Sequence, residues 1–329
     1  MNKIASLTEK ERRELFLETA SRKHMTNAIV EKDFWVVWVL DKLFMDNKLS
    51  KILMFKGGTS LSKIYGLIER YSEDIDLILD WKLLTKEDPN ADRSKSQQSK
   101  YNKFINEKAK VYIKDELLPV ISGILTPYCM CKIKEDGFSI DIQYPAIFRD
   151  RALLPHILLE IGPLAMWHPS GDFEVSSYAS QEFPDLFDRA TCKVKAILAK
   201  RTFWEKATIL HQEANRGKDK KIPSRYSRHY YDLAMMVNSD VKKKALLDLK
   251  LLESVIEFKQ RFYACNWAKY EEALPGSFKL IPPDYRLPEL KKDYNAMQNM
   301  IFGKRIEFEK ILSILKELED EINKLEESR

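Results

Sequence analysis

The sequence predicts an α+β fold: a mixed sheet carrying helices, followed by a helical C-terminal part. Three observations predict it. From Ile52 to Leu79 the chain reads as a short apolar strand, a Gly57-Gly58 turn, a stretch with Leu61, Ile64, Tyr65 and Ile68 at helical spacing, and a second strand. Further strand patterns follow at Cys131–Ile133 and Phe138–Tyr144, which a turn at Glu135-Asp136-Gly137 joins into a hairpin, and at about His156–Ile161 and Lys193–Leu198. Beyond about Thr202 the pattern is helical, punctuated at Pro223, Pro275-Gly276 and Pro282-Pro283.

The elements before the first strand are helices. Thr8-Glu9-Lys10-Glu11 is a capping box that opens an amphipathic helix through about Ala20, and a second helix runs from about Asn27 to Phe44. The Gly-Gly turn is expected to feed a helix over Ser60–Glu69. In Asp74-Ile75-Asp76-Leu77-Ile78-Leu79 the side-chain period of two places both aspartates on one sheet face and Ile75, Leu77 and Leu79 on the other. Lys86 to Gln98 is polar and rich in loop formers, so it reads as a mobile excursion, with a helix over about Lys100–Gly123 after it. Near the end, Phe308, Ile311, Leu315, Leu318, Ile322 and Leu325 form an a/d seam that needs a partner, either the chain's own helices or a second copy.

Composition bounds the function. The 329 residues exceed what one core usually holds, and 32% charged residues keep the surface wet. The longest apolar stretch, Phe34 to Leu40, is far below the ~20 residues of a spanning helix, and the N-terminus lacks a signal-peptide layout. Cys129, Cys131, Cys192 and Cys265 fit neither a disulfide framework nor a zinc spacing, which suits buried thiols in a reducing cytoplasm.

The chemistry-bearing feature is the glycine pair ahead of two carboxylates one residue apart. Carboxylates that close repel unless a cation sits between them, and a divalent ion such as magnesium is the cheapest account. A Gly-Gly turn at a helix start lets backbone N–H groups approach a triphosphate. Each signal alone is weak; a lone DxD strand is more often a solvated edge, and a lone Gly-Gly just a turn. Their order, strand, Gly57-Gly58-Thr59-Ser60, helix, Arg70-x-Ser72-x-Asp74-x-Asp76, points to nucleotidyl transfer. A third carboxylate could come from Glu160, between Leu159 and Ile161, or from Asp141, between Ile140 and Ile142.

This string resembles the glycine and DxD signature of the DNA polymerase beta-like nucleotidyltransferases, and KGGTSLxK…RxSxDIDL is similar to their AbiEii/AbiGii toxin branch. Glu31-Lys32-Asp33-Phe34-Trp35, Leu159-Glu160-Ile161-Gly162, Arg201-Thr202-Phe203-Trp204-Glu205-Lys206-Ala207 and Arg228-His229-Tyr230-Tyr231-Asp232-Leu233 resemble that branch in its order, over about residues 28 to 236. Two departures stand out: a long gap from Gly58 to Asp74, and Ile161-Gly162-Pro163-Leu164 where a basic position is expected.

The resemblance implies a mixed-sheet nucleotidyltransferase domain with two leading helices over residues 1–200 and a helical domain over 201–329 that contributes to the active-site cleft. It implies catalytic roles for Asp74, Asp76, Glu160, Lys206 and Asp232, with Asp74, Asp76 and Glu160 holding Mg2+ or Mn2+. The nucleoside triphosphate would meet Lys56, Gly57, Gly58, Thr59, Ser60, Arg70, Ser72 and Arg228. It further implies a cytoplasmic toxin of a type IV-like, AbiE-like phage-defence system, held in check by an antitoxin and adding nucleotides to RNA, the transfer RNA 3′ end above all. The basic run Arg216–Arg225 suits a phosphate backbone, and Tyr226, Tyr230 and Tyr231 are expected to stack on bases. The rival expectations are modification of a small molecule or a protein side chain, and a catalytically silent binding module.

Overall fold

Thr8 opens the first long helix as its sequence predicts: its Oγ1 accepts the Glu11 N–H at 3.3 Å, and Glu11 Oε2 accepts the Thr8 N–H at 2.9 Å. The computed structural model describes residues 1–72, 74–150 and 153–325. They form two compact units, one of residues 1–64 and 71–197, the other of 65–70 and 198–329.

The first unit is built on a seven-stranded sheet. Helices α1 (Asn2–Ala5), α2 (Glu9–Lys23), α3 (Asn27–Met45) and α4 (Leu49–Ile52) lead into β1 (Leu53–Lys56), and α5 (Gly57–Lys63) follows it directly. Strand β2 (Asp74–Leu79) comes next, then α6 (Lys95–Tyr112), one π-helical stretch at Ile113–Leu117, and α7 (Leu118–Leu125). Strands β3 (Met130–Ile133), β4 (Ser139–Gln143), β5 (Ile157–Gly162) and β6 (Ser170–Ser176), short helix α8 (Tyr178–Glu182) and β7 (Thr191–Ile197) complete it. The sheet order is β3-β4-β5-β2-β1-β7-β6, with β2–β5 and β1–β7 parallel and the other neighbours antiparallel.

Alternation divides this sheet by chemistry. Ile75, Leu77, Leu79, Ile140, Ile142, Leu159, Ile161, Val194 and Ala196 join one core with Phe34, Trp35 and Trp38 of α3 and with Ile113, Leu117 and Ile121. The opposite face carries the intervening residues, among them the aspartates of β2.

Buried charge within α3 organises the loops around that core. Glu31, Lys32 and Asp33 are consecutive and all buried. Glu31 accepts the N–H groups of Ile147 and Phe148, each at 2.8 Å, Lys32 donates to the Leu154 carbonyl at 2.9 Å, and Asp33 pairs with Lys63 at 2.6 Å while accepting the Tyr178 N–H at 2.7 Å. Burial raises the carboxyls of Glu31 and Asp33, so each needs these donors to stay ionised.

The second unit is helical: α9 (Ala199–Ala214), α10 (Ser227–Val237), α11 (Asp240–Leu246), α12 (Leu249–Phe262), α13 (Leu287–Met297) and α14 (Phe308–Lys324). It also takes up Tyr65–Arg70, which the sequence reading gave to the first domain. The expected helix Ser60–Glu69 therefore stops at Lys63. Gly66 adopts φ +59°, the Glu69 carbonyl accepts the N–H groups of Phe302 (2.9 Å) and Gly303 (3.3 Å), and Arg70 bridges Ile301.

The structure departs from one further expectation, adds a strand and decides an open alternative. The polar run is ordered sooner than its composition suggests, because Ser94 and Gln97 form a capping box that opens α6, and Arg93 stacks 3.9 Å over Tyr101 while bonding the Asp88 carbonyl. Strand β6 was not anticipated. The a/d seam of α14 is covered within its own unit: Phe308, Ile311, Leu315, Leu318 and Ile322 are all buried, so the seam is not a face for a second copy.

Candidate active site

Gly57 packs directly against the Asp76 side chain. Gly57 has φ +83°, and a Cβ added there would meet the Asp76 side chain, 2.6 Å from Cγ and 2.9 Å from Cβ. Only glycine fits that turn with the carboxylate in place. Thr59 Oγ1 donates to the Asp74 carbonyl, tying α5 to the start of β2, and Ser60 Oγ donates to the Gly57 carbonyl at 2.8 Å. Both hydroxyls are buried, so their observed work is to fix the turn against the strand. Gly58 lies in the first turn of α5, whose N-cap, Lys56, makes no side-chain cap. Ser72 is half-buried just ahead of β2.

Register places the acids. Asp76 is opposite Lys56 of β1 on one side and Glu160 of β5 on the other, and Asp74 is opposite Leu158. Paired residues share a face, so Asp74, Asp76 and Glu160 lie together on the face away from the core. Asp74 and Asp76 are half-buried; Glu160 is exposed. Asp141 of β4 is opposite Leu158 and therefore two strands from Asp74, roughly 10 Å at the usual strand spacing. Its Oδ1 lies 3.1 Å from His156 Nε2.

The same face bears cations that the sequence reading passed over. Cys192, Val194 and Ala196 of β7 face the core, which turns the exposed Lys193 and Lys195 to the face of the aspartates, beyond β1. The alternation Cys192-Lys193-Val194-Lys195-Ala196 carried that signal, by the logic already applied to Asp74-x-Asp76.

Among the described residues no three His, Cys, Asp or Glu side chains already stand as a metal-binding group. Magnesium is commonly held by one or two carboxylates plus substrate phosphates, and the hard oxygens of Asp74 and Asp76 on one face fit that pattern.

In the second unit Asp232 is fully buried and ties two cations. Arg70 grips it through Nε–Oδ1 at 2.6 Å and Nη2–Oδ2 at 2.7 Å, and Lys206 Nζ reaches Oδ2 at 2.7 Å. Burial alone would raise this carboxyl, but Arg70 and Lys206 outweigh it and hold Asp232 well below the usual carboxylate range. Burial also lowers the Lys206 ammonium, with Asp232 opposing and Arg70 and Arg228 adding to the fall. The spacing on α9 and α10 thus brings Lys206, Asp232 and Arg228 together with Arg70.

A sequence profile described as nucleotidyl transferase AbiEii toxin, Type IV TA system, matches residues 38–314. The chain belongs to the AbiEii family. It is accordingly a nucleotidyltransferase toxin of a type IV toxin–antitoxin system, with a nucleoside triphosphate as substrate and an antitoxin as its counterpart. Among solved structures, MenT4, a nucleotidyltransferase toxin from Mycobacterium tuberculosis H37Rv, is similar to this AbiEii protein over 95% of this chain and 99% of its own, with 15% identity and a TM-score of 0.46. No curated protein matches it. Among the described residues no helix is long and apolar enough to cross a membrane.

The basic loop of this AbiEii chain differs from expectation in its aromatic partners. Tyr230 and Tyr231 are fully buried and cannot stack on a base, and Tyr226 is half-buried with its ring edge-on to His229. The rings that meet the loop are Trp267, with Arg216 at 4.6 Å and Lys220 at 4.8 Å, and Tyr285, with Lys218 at 5.9 Å. Arg286 donates to the carbonyls of Gly217 and Lys220, and Tyr285 to that of Arg216, which leaves Lys218 and Lys221 exposed.

Proposed function

We propose that this toxin transfers nucleotides from a nucleoside triphosphate to an RNA acceptor, the 3′ end of a transfer RNA, and so blocks translation in the cytoplasm as a phage-defence response. The observation that carries this reading is the Asp76 carboxylate seated on Gly57, with Asp74 on the same face and Glu160 directly across the strand pair. Nucleotidyl transfer asks for carboxylates beside a turn that a triphosphate can approach, and Gly57 with Asp74 and Asp76 sets both together.

Asp74, Asp76 and Glu160 would hold Mg2+ or Mn2+, which when bound would offset charge on the phosphates. The chain's own residues supply the rest. Gly57 and Gly58 leave room for backbone amides to approach phosphate oxygens, and Thr59 and Ser60 hold that turn on β2. Lys56, next to Asp76 in register, and Ser72 ahead of Asp74 complete this set. Glu160, the exposed acid, would accept the proton of the attacking ribose hydroxyl as that oxygen bonds to the α-phosphorus and pyrophosphate leaves. In the second unit, Arg70, Arg228 and Lys206 outnumber Asp232 in charge, a group whose chemistry suits phosphate oxygens, and Asp232 holds Arg70 and Lys206 in place.

The test is incorporation of labelled nucleotide from each triphosphate, with RNA, protein and small-molecule fractions separated afterwards. Label is expected in the RNA fraction, lost in Asp74→Ala and Asp76→Ala. Either variant retaining wild-type incorporation sinks the carboxylate assignment, and label confined to protein or small molecules sinks the acceptor.

A further inference from the structure

A cavity of about 770 Å³ opens where β4 ends and β5 begins, lined in part by Ala28, Gln143, Phe148, Leu154, Pro155 and His156. That volume lies within the usual range of small-molecule sites. We propose that it seats a nucleobase, one that belongs to a nucleotide whose phosphate end lies at Asp74; this inference rests on the nucleotidyl-transfer reading above.

Position is the first argument. Asp74 is opposite Leu158 on β5, and His156, the residue just before β5 begins, lies two positions upstream of Leu158. At ordinary strand dimensions the Cα atoms of His156 and Asp74 are roughly 8 Å apart. A nucleoside spans such a gap between its base and its phosphate.

The second argument is the lining. Phe148, Leu154 and Pro155 give flat or apolar walls of the kind a base stacks against. Gln143 and His156 supply a carboxamide and an imidazole; a carboxamide both donates and accepts, which matches the paired donor and acceptor on a base edge. Asp141 stands behind this lining, its Oδ1 3.1 Å from His156 Nε2, so the carboxylate orients the imidazole. A purely apolar ligand would leave the carboxamide and the imidazole unanswered.

The third argument is preorganisation. Glu31 accepts the backbone N–H groups of Ile147 and Phe148, Arg13 stacks 5.2 Å over the Phe148 ring, and Lys32 donates to the Leu154 carbonyl. Two buried charges of α3 thus pin the wall at two points. Holding a wall in place before binding removes an ordering cost from recognition.

The base can come from the incoming triphosphate or from the last nucleotide of the RNA acceptor, and one set of measurements separates the two. Ala28→Phe fills the cavity from the first turn of α3, and Gln143→Ala removes the carboxamide from an exposed position. For both variants and the wild type, KM and kcat are measured for each triphosphate and for RNAs ending in each common nucleoside. Thermal unfolding midpoints check the fold, and if Ala28→Phe proves unfolded Gln143→Ala carries the test. The expected result is a rise in KM of about tenfold or more for one substrate only, with kcat little changed. A rise confined to the triphosphate assigns the cavity to the incoming base; one confined to RNA assigns it to the acceptor. Folded variants with wild-type KM for both substrates overturn the proposal. Should the wild type transfer nucleotide to no RNA, the nucleotidyl-transfer reading to RNA fails by itself. Filter binding of labelled triphosphates and RNA then decides the cavity: weaker binding of one ligand by the variants upholds it, and equal binding or no binding by the wild type overturns it.

Discussion

Replacing Gly57 by alanine separates geometry at the carboxylate from backbone strain. The new methyl would stand 2.6 Å from Asp76 Cγ, where carbon–carbon contacts ordinarily lie at about 3.5–4.0 Å. The carboxylate must therefore retreat by about 1 Å, a displacement that costs about 100-fold in rate when it falls on a group aligned with the reacting atoms. That loss corresponds to about 2.7 kcal/mol of transition-state stabilisation. Gly57 also sits at φ +83°, which costs an alanine about 1–2 kcal/mol of folding stability. Gly66 supplies the control, since it has φ +59° and nothing within 4 Å of its would-be Cβ. Gly66→Ala should show the strain without the displacement. The assay is nucleotide incorporation under saturating substrate, with urea unfolding of both variants. Similar losses of stability, with activity lost about 100-fold in Gly57→Ala alone, are expected. Wild-type turnover by a folded Gly57→Ala protein would refute the claim that this turn fixes a catalytic carboxylate.

Four further outcomes follow from the same geometry. Asp232→Asn leaves Arg70 and Lys206 buried with their charge uncompensated, so urea unfolding at neutral pH should show a loss of about 3–5 kcal/mol. Because the folded-state pKa of Asp232 is depressed, its stabilisation is present above the unfolded carboxyl value of about 3.9 and fades as pH falls below it; the variant should lose that part of the acid dependence. His211 accepts the Lys279 N–H at Nδ1 (3.1 Å), which leaves Nε2 to donate to the Lys269 carbonyl (3.0 Å), and burial lowers its pKa. Its support is thus complete above the unfolded histidine value of about 6.5 and is lost as pH falls through the folded value; His211→Phe should flatten the stability profile below about pH 6.5. Lys218→Glu with Lys221→Glu should weaken RNA binding and reduce the salt slope by about 1.4, at about 0.7 per phosphate contact on a single strand; an unchanged slope would remove these exposed lysines from the RNA surface. Glu160→Gln relieves a like-charge pair across β2 and β5, so stability should rise by up to about 1 kcal/mol while incorporation falls.

Much of this was legible in the chain, for reasons local to it. The capping box at Thr8 and the alternation at Asp74-x-Asp76 each depend on neighbours a few positions away, and both elements stand where their spacing puts them. What was not legible was decided from afar. The helix after Gly57 ends at Lys63 because the following residues are claimed by 301–304, whose position nothing near Glu69 announces. Strand β6 hides because only Val175 among its residues is deeply buried, so an edge strand rich in Ser, Gly and acid reads as a loop. Glu31-Lys32-Asp33 looks like a solvated turn of helix, yet all three are inside, held by backbone groups more than a hundred residues away. Tyr230 and Tyr231 were misjudged for a related reason: on α10 they point into the unit's own core, and the loop meets Trp267 and Tyr285 instead.

The distribution of charge over the sheet is harder to explain by stability than by chemistry. Directly opposed like charges destabilise a strand pair, and Asp76 and Glu160 are opposed in register with Asp74 on the same face. Lys56 lies on the other side of Asp76, one cation against three acids, while Lys193 and Lys195 stand a further strand away on β7. The core face of the same strands would be equally well formed with neutral residues at 74, 76 and 160. Acids clustered in the middle of the sheet, cations to one side, and a glycine without which Asp76 would be displaced are what the proposed transfer needs: carboxylates for a counter-ion beside a turn open to a negatively charged ligand. A folded domain under selection for stability alone would have no use for that arrangement.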